Sequence, residues 1–187
     1  MSNTEILEKM LHSCSLFSLE PYAYESKSNQ IKYKVYLKEA QTQNSYFEIH
    51  NLPADAFVID LDKSFNNQKL FKGDAGECKR ADYIIISESY ARVLFIEMKQ
   101  ISDSATDIAH QLRGALCVFE YCQIIAREFF KVKDFMDFEK RFIALTHTNA
   151  KKTTKVSRDS CSKANNHPDN CFRVFGRNSM QFKALAA

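Results

Sequence analysis

The stretch 81–99, with the sequence ADYIIISESYARVLFIEMK, decides the fold of this chain. Two apolar runs, at 83–86 and 93–96, flank a polar segment at 87–92, and this pattern predicts a β-hairpin. Because each run is apolar on both of its faces, we expect the hairpin to lie in a sheet that is covered on both sides.

The register of this hairpin brings two acids together. An antiparallel pairing centred on the turn aligns Ile84 with Phe95 and, at the open end, Asp82 with Glu97. Side chains alternate along a strand, so Lys99 is expected on the same face as Glu97. Directly opposed side chains have Cβ atoms ~5 Å apart and like charges there repel each other, so the pair needs a proton, a cation or solvent. Oxygen ligands at this spacing suit Mg²⁺ or Mn²⁺.

The rest of the chain supplies further helices and strands. An apolar stripe at helical spacing predicts a long helix over 104–130, and the polar stretch 66–80 is expected to be a loop. We also predict short helices near the N-terminus and at 180–185, and strands at 31–37, 46–49, 56–61, 141–146 and 171–175. This order favours one α/β (α+β) domain over 1–187, with a central mixed sheet flanked by helices.

Composition excludes several classes of protein. With 45% hydrophobic and 26% charged residues among 187, the chain is expected to fold. No apolar run reaches the ~18 residues of a membrane helix, so we expect no membrane partner. The six cysteines form no CxxC pair, which favours a reduced, cytoplasmic protein. Cys161, His167 and Cys171 have zinc-compatible side chains, but thiols without bound metal are the favoured interpretation.

The net charge of +3 hides an asymmetry. Residues 150–187 hold eight Lys and Arg against two acids, so the remainder of the chain is net negative. We expect 148–170 to be a basic, polar surface loop that faces a polyanion, with a solvated tail as an equal alternative. The residues predicted to contact phosphates are Lys79, Arg80, Lys151, Lys152, Lys155 and Arg158.

The spacing of the acids carries a resemblance to a known family. Asp82, fourteen intervening residues and then Glu97-Met98-Lys99 after an apolar run resemble the PD-(D/E)xK nuclease superfamily. The resemblance implies a restriction-endonuclease-like core in which Asp82, Glu97 and the Met98 carbonyl bind a divalent metal. It also implies that Lys99 assists the attacking water.

Two further residues enter through the same resemblance. Some members carry an acid on the first helix, which here is Glu5 or Glu8, and first-turn acids also favour the helix dipole. Exonuclease-type members have a glutamine early in the following helix, which matches Gln111. The chain departs from the pattern where Ala81 precedes the aspartate in place of proline, and where Ala115 replaces a tyrosine.

These observations lead to one expected function and one alternative. The expected function is Mg²⁺- or Mn²⁺-dependent hydrolysis of phosphodiester bonds by an endonuclease, with DNA favoured over RNA and a role in restriction, repair or anti-phage defence. Loops or a partner protein would supply specificity, and a homodimer would suit the cutting of both strands of a duplex. The alternative is a module of the same fold that binds nucleic acid or protein without cutting it.

Overall fold

The computed structural model describes residues 3–25, 30–39, 45–64, 70–99, 104–146 and 165–187. Its helices are α1 (Asn3–Met10), α2 (Leu61–Ser64), α3 (Ala105–Phe130) and α4 (Phe182–Leu185), with short 3₁₀ turns at Ser13–Ser15 and Pro168–Asn170. Its strands are β1 (Leu16–Phe17), β2 (Glu20–Glu25), β3 (Gln30–Lys38), β4 (Tyr46–Leu52), β5 (Phe57–Asp60), β6 (Tyr83–Ser87), β7 (Arg92–Lys99), β8 (Glu139–Thr146), β9 (Phe172–Phe175) and β10 (Ser179–Gln181). The mixed α/β class is as predicted.

The hairpin β6–β7 lies at the centre of a six-stranded sheet with the order β1-β5-β6-β7-β8-β9. Strands β1, β5, β6 and β7 pair antiparallel, whereas β7, β8 and β9 run parallel. The register pairs Ile84 with Phe95, as predicted. A parallel neighbour needs a crossover connection, and α3 supplies it between β7 and β8.

Helices cover one face of this sheet. Ile84 and Phe95 are fully buried there against α1 and α3. The ring of Phe95 stacks on Phe142 at 4.9 Å between centroids and meets Phe119 edge-on at 5.8 Å. Such aromatic pairs add to the free energy gained by burial alone, so they fix α3 firmly on the sheet.

A second sheet, together with α4, covers the other face of the central sheet. This four-stranded sheet has the order β10-β4-β3-β2, and α4 packs beside it. The inward residues of β3 and β4, Leu37 and Phe47 among them, pack on Ile85 and Leu94 of the central hairpin. Because β3 and β4 are apolar on one face only, they form a separate layer in place of extending the central sheet.

Two chain segments differ from their predicted form. Strand β2 was not predicted, and it is an edge strand with a bulge between Pro21 and Ala23, a position that tolerates proline. The predicted helix at 180–185 is shorter, because β10 first pairs with β4 over three residues. The predicted turn at 41–45 and most of the loop 148–170 lie outside the described residues.

The loop that precedes β6 packs tightly on α3. A Cβ added at Gly114 of α3 would lie 1.8 Å from the Lys79 carbonyl oxygen, so only glycine lets the two backbones approach this closely. Lys79 Nζ also forms an ion pair with Asp107 near the start of α3. The first half of α3 therefore fixes the chain immediately before Asp82.

Among the described helices, none is long and apolar enough to cross a membrane.

Candidate active site

Asp82 and Glu97 lie together at one end of the central sheet. The β6–β7 ladder ends at the pair Tyr83 and Ile96, one step before the predicted pairing of the two acids. Beyond this pair, the side chain of Asp82 connects the two strands, because its Oδ2 accepts a 2.6 Å hydrogen bond from the Met98 amide. Its carbonyl oxygen accepts a second bond, of 2.9 Å, from the Leu61 amide. Asp82 is therefore held on both sides.

Glu97 is a buried acid whose partner is Lys99. Its side chain is 1% exposed, and within the described part of the chain its Oε2 has no hydrogen-bond partner. Lys99 Nζ lies 2.9 Å from Oε1 as an ion pair, which agrees with the prediction that both side chains share one face. Burial raises the pKa of Glu97 to about 7 although Lys99 opposes the rise.

The two carboxyl groups also act on each other. Burial raises the pKa of Asp82 well above its ordinary value, and the negative charge of Glu97 raises it further. The hydrogen bond from the Met98 amide opposes this shift. Two carboxylates in such a site are ionised together only when positive charge lies nearby. Lys99 supplies one such charge, and protonation of one acid or a bound cation would each relieve the remaining repulsion.

The Met98 backbone faces the same place. In a strand, the N–H and the C=O of one residue point to the same neighbour. Because the Met98 amide points to Asp82, its carbonyl oxygen also points to that side of β7. Its side chain lies in the core between the two sheets. Two carboxylates and one carbonyl are thus available as oxygen ligands for a hard cation such as Mg²⁺ or Mn²⁺.

Two acids near this pair were missed by sequence reasoning. Asp62, on α2 directly after the residue that bonds Asp82, raises the pKa of both Asp82 and Glu97. Glu39, just after β3, also raises the pKa of Glu97, and its buried Oε2 has no hydrogen-bond partner among the described residues. Asp62 follows β5, which runs in the same direction as β7 because each pairs antiparallel with β6. Its position at the same end of the sheet as Glu97 could therefore have been predicted from the sequence. Glu39 follows a strand of the second sheet, and no local sequence pattern predicts that it lies near the pair.

Gln111 and Glu8 have different surroundings. Gln111 is half-buried on α3, one turn before Gly114, and its Oε1 has no hydrogen-bond partner in the described ranges. Glu8 is exposed on α1, and the main charges that act on the acid pair belong to other residues. The structure thus places an acid from α2, in place of one from the first helix, beside the pair.

The two predicted phosphate contacts in the described loop have acidic partners within the chain. Lys79 is paired with Asp107. Arg80 Nε donates to the Leu61 carbonyl at 3.2 Å, and its other nitrogen lies 3.5 Å from Asp62. Both side chains therefore connect the loop before β6 to the neighbouring helices. The remaining predicted contacts, Lys151, Lys152, Lys155 and Arg158, lie outside the described residues.

The C-terminal zinc candidates are not assembled in the part of the chain that is described. Cys161 lies outside it. His167 Nδ1 accepts a hydrogen bond from the Asp169 amide, and Cys171 is half-buried, with its pKa raised by burial. Over the described ranges, no group of three or more His, Cys, Asp or Glu side chains could hold a metal ion. A cation at Asp82 and Glu97 would therefore need backbone or water oxygens as its other ligands.

Comparison of the chain with protein-family models, with curated proteins and with solved structures found no match. Any assignment of function therefore depends on the geometry and electrostatics of the site.

Proposed function

We propose that this protein is a metal-dependent nuclease that hydrolyses phosphodiester bonds, with DNA as its substrate, at Asp82, Glu97 and Lys99. The observation that carries the proposal is the pair of carboxyl groups of Glu97 and Asp82, which lie together at the end of the sheet beside one ammonium group, that of Lys99, while Glu97 Oε2 has no hydrogen-bond partner among the described residues. Two acids beside one lysine leave negative charge that a bound cation would neutralise. Buried acids whose pKa values are raised by burial and by each other are typical of functional sites.

The donor set fits Mg²⁺ or Mn²⁺. Asp82, Glu97 and the Met98 carbonyl would hold the ion, and water and phosphate oxygens would fill the remaining positions. When bound, such an ion supplies positive charge that neutralises the phosphate and makes water more acidic. The chain's own contribution is a rigid frame, because Asp82 is fixed by the Met98 and Leu61 amides.

Lys99 would act on the water that attacks phosphorus. The ammonium group of Lys99 lies 2.9 Å from Glu97 Oε1 and is partly exposed, so it contacts both the buried acid and solvent. There it would orient the attacking water and stabilise the negative charge that develops on the phosphate oxygens. An ammonium group does this as a compact point charge, which a planar guanidinium does not reproduce.

A cleavage assay tests the proposal. The wild-type protein should cut plasmid, linear duplex or single-stranded DNA with Mg²⁺ and not with a chelator. Glu97→Gln and Lys99→Ala should each lose at least about 100-fold in rate, as expected when a group that acts on the transition state is removed. Glu120→Gln, an exposed substitution on α3, is the matched control and should cut normally.

The same assay separates nuclease activity from the alternative, a binding module. Binding of DNA without any Mg²⁺-dependent cutting would favour the module. Equal cutting rates for the wild-type protein and Glu97→Gln would place the chemistry elsewhere.

A further inference from the structure

Helix α3 carries large apolar side chains on the face that points away from the central sheet. Tyr121 is 55% exposed and Ile124 is 45% exposed, whereas Phe119 and Ala126 are buried in the core. Residues three apart in a helix differ in direction by about 60°, so Tyr121 and Ile124 are neighbours on the outer face. The elements that flank this face, α1 and the chain at 131–138, lie within the described residues.

Two further side chains widen the apolar strip on the side of α3 that faces α1. Val118 and Ile125 are half-buried and, with Tyr121, line a cavity of about 190 Å³ between the two helices. The four side chains follow one another over two turns of α3. They therefore form one continuous apolar patch, which is typical of a surface that binds another protein.

The other side of the strip carries one charge of each sign. Glu120 and Arg127 are exposed and seven residues apart, so they point in nearly the same direction two turns from each other. Arg127 lies 2.9 Å from Glu128, but both side chains are more than half exposed, so this ion pair is weak. An acid and a base at this spacing are complementary to the same pair on an antiparallel copy of the helix.

One antiparallel arrangement of two α3 helices satisfies the apolar and the charged contacts together. With a twofold axis at the level of Gln123, Tyr121 packs on Ile124 of the partner subunit, and the symmetry makes this contact twice. In the same register Val118 meets Ile125 of the partner subunit. Glu120 then meets Arg127 of the partner subunit. Parallel helices would instead place the charged side of one copy against the apolar side of the other.

We propose that this outer face of α3 binds a second copy of the chain and forms a twofold, antiparallel α3–α3 dimer. The inference does not rest on the proposed function. The contact covers only a few turns of one helix, so the dimer is weak and reversible. Below roughly 1 μM, where cleavage and unfolding would be measured, the chain is therefore monomeric, and Glu120→Gln changes neither.

Sedimentation velocity from roughly 1 to 300 μM, the range expected for a small interface, measures this association. The wild type should shift from monomer to dimer as its concentration rises. Ile124→Lys should remain monomeric, because it places a charge in the apolar strip. Ile31→Lys is the matched control and should dimerise normally, since Ile31 is 48% exposed on β3 of the second sheet.

Charge reversal tests the register of the dimer. Arg127→Glu should raise the Kd of dimerisation at least about tenfold, because acid then faces acid at two symmetric places. Addition of Glu120→Lys to that variant should restore the wild-type Kd, which would not happen if Arg127→Glu merely disturbed the fold. A wild type that stays monomeric throughout, an Ile124→Lys variant that dimerises normally, or a double variant that does not recover would overturn the proposal.

Discussion

Glu97 is a buried acid whose ionisation is disfavoured in the folded protein, although Lys99 offsets part of this effect. Its pKa is raised to about 7 from an ordinary value of 4.5, chiefly by burial. Below pH 4.5 the group is protonated in both the folded and the unfolded chain, so its ionisation does not lower the free energy of unfolding. Between these two pH values the unfolded chain releases the proton first, and the free energy of unfolding falls as the pH rises.

Replacement of Glu97 should therefore stabilise the metal-free protein in a pH-dependent way. At pH 8 with a chelator, Glu97→Gln should exceed the wild type by about 3 kcal/mol in free energy of unfolding, which corresponds to the shift in pKa. At pH 4 the advantage should vanish. Urea denaturation across this range measures the difference, with Glu120→Gln as the exposed control. A variant that is less stable than wild type at pH 8 would show that Glu97 is structurally satisfied.

The contact between α3 and the loop before β6 decides where Asp82 lies. Gly114 lets the Lys79 carbonyl approach the helix, and Lys79 and Arg80 immediately precede the strand that carries the site. Arg80 also ties the loop to α2 through the Leu61 carbonyl. Helix α3 thus helps to fix the position of Asp82 although it contributes neither acid of the pair.

Gly114→Ala tests this role of α3. Alanine favours a helix by about 1 kcal/mol over glycine, yet its Cβ would lie 1.8 Å from a backbone oxygen. The clash should outweigh the gain, so we expect a net loss of about 1 to 3 kcal/mol in stability together with reduced cleavage. Thermal unfolding and the cleavage assay check both effects. Cys117→Ala, on the exposed side of the same helix, should change neither, and a stabilised, fully active Gly114→Ala would contradict the close contact.

At the scale of the whole molecule, the parts that sequence reasoning predicted are those with strong local patterns. The hairpin register follows from two apolar strands and a short turn, and α3 follows from its long apolar stripe and the Ser104 cap. Both are set by residues close together in the chain. The proximity of Asp82, Glu97 and Lys99 was accessible for the same reason.

The parts that were missed depend on contacts distant in sequence. The second sheet covers a face that helices could have covered equally well, since alternation in β3 and β4 does not specify a partner. Glu39 reaches the acid pair only because that sheet packs there. Short edge strands such as β10 carry too few residues for a periodic signal.

Metal-dependent stability is the most direct test of the central claim, that the buried acid pair is a cation site. Thermal unfolding of the wild type, Lys99→Ala and Glu97→Gln would be followed as Mn²⁺ is raised from a chelated baseline. A ligand at 100 times its Kd stabilises the folded state by about 2.7 kcal/mol. We expect the Tm to rise for the wild type and for Lys99→Ala, and not to rise for Glu97→Gln. A wild-type Tm that does not respond to Mn²⁺, or an equal rise in Glu97→Gln, would contradict it.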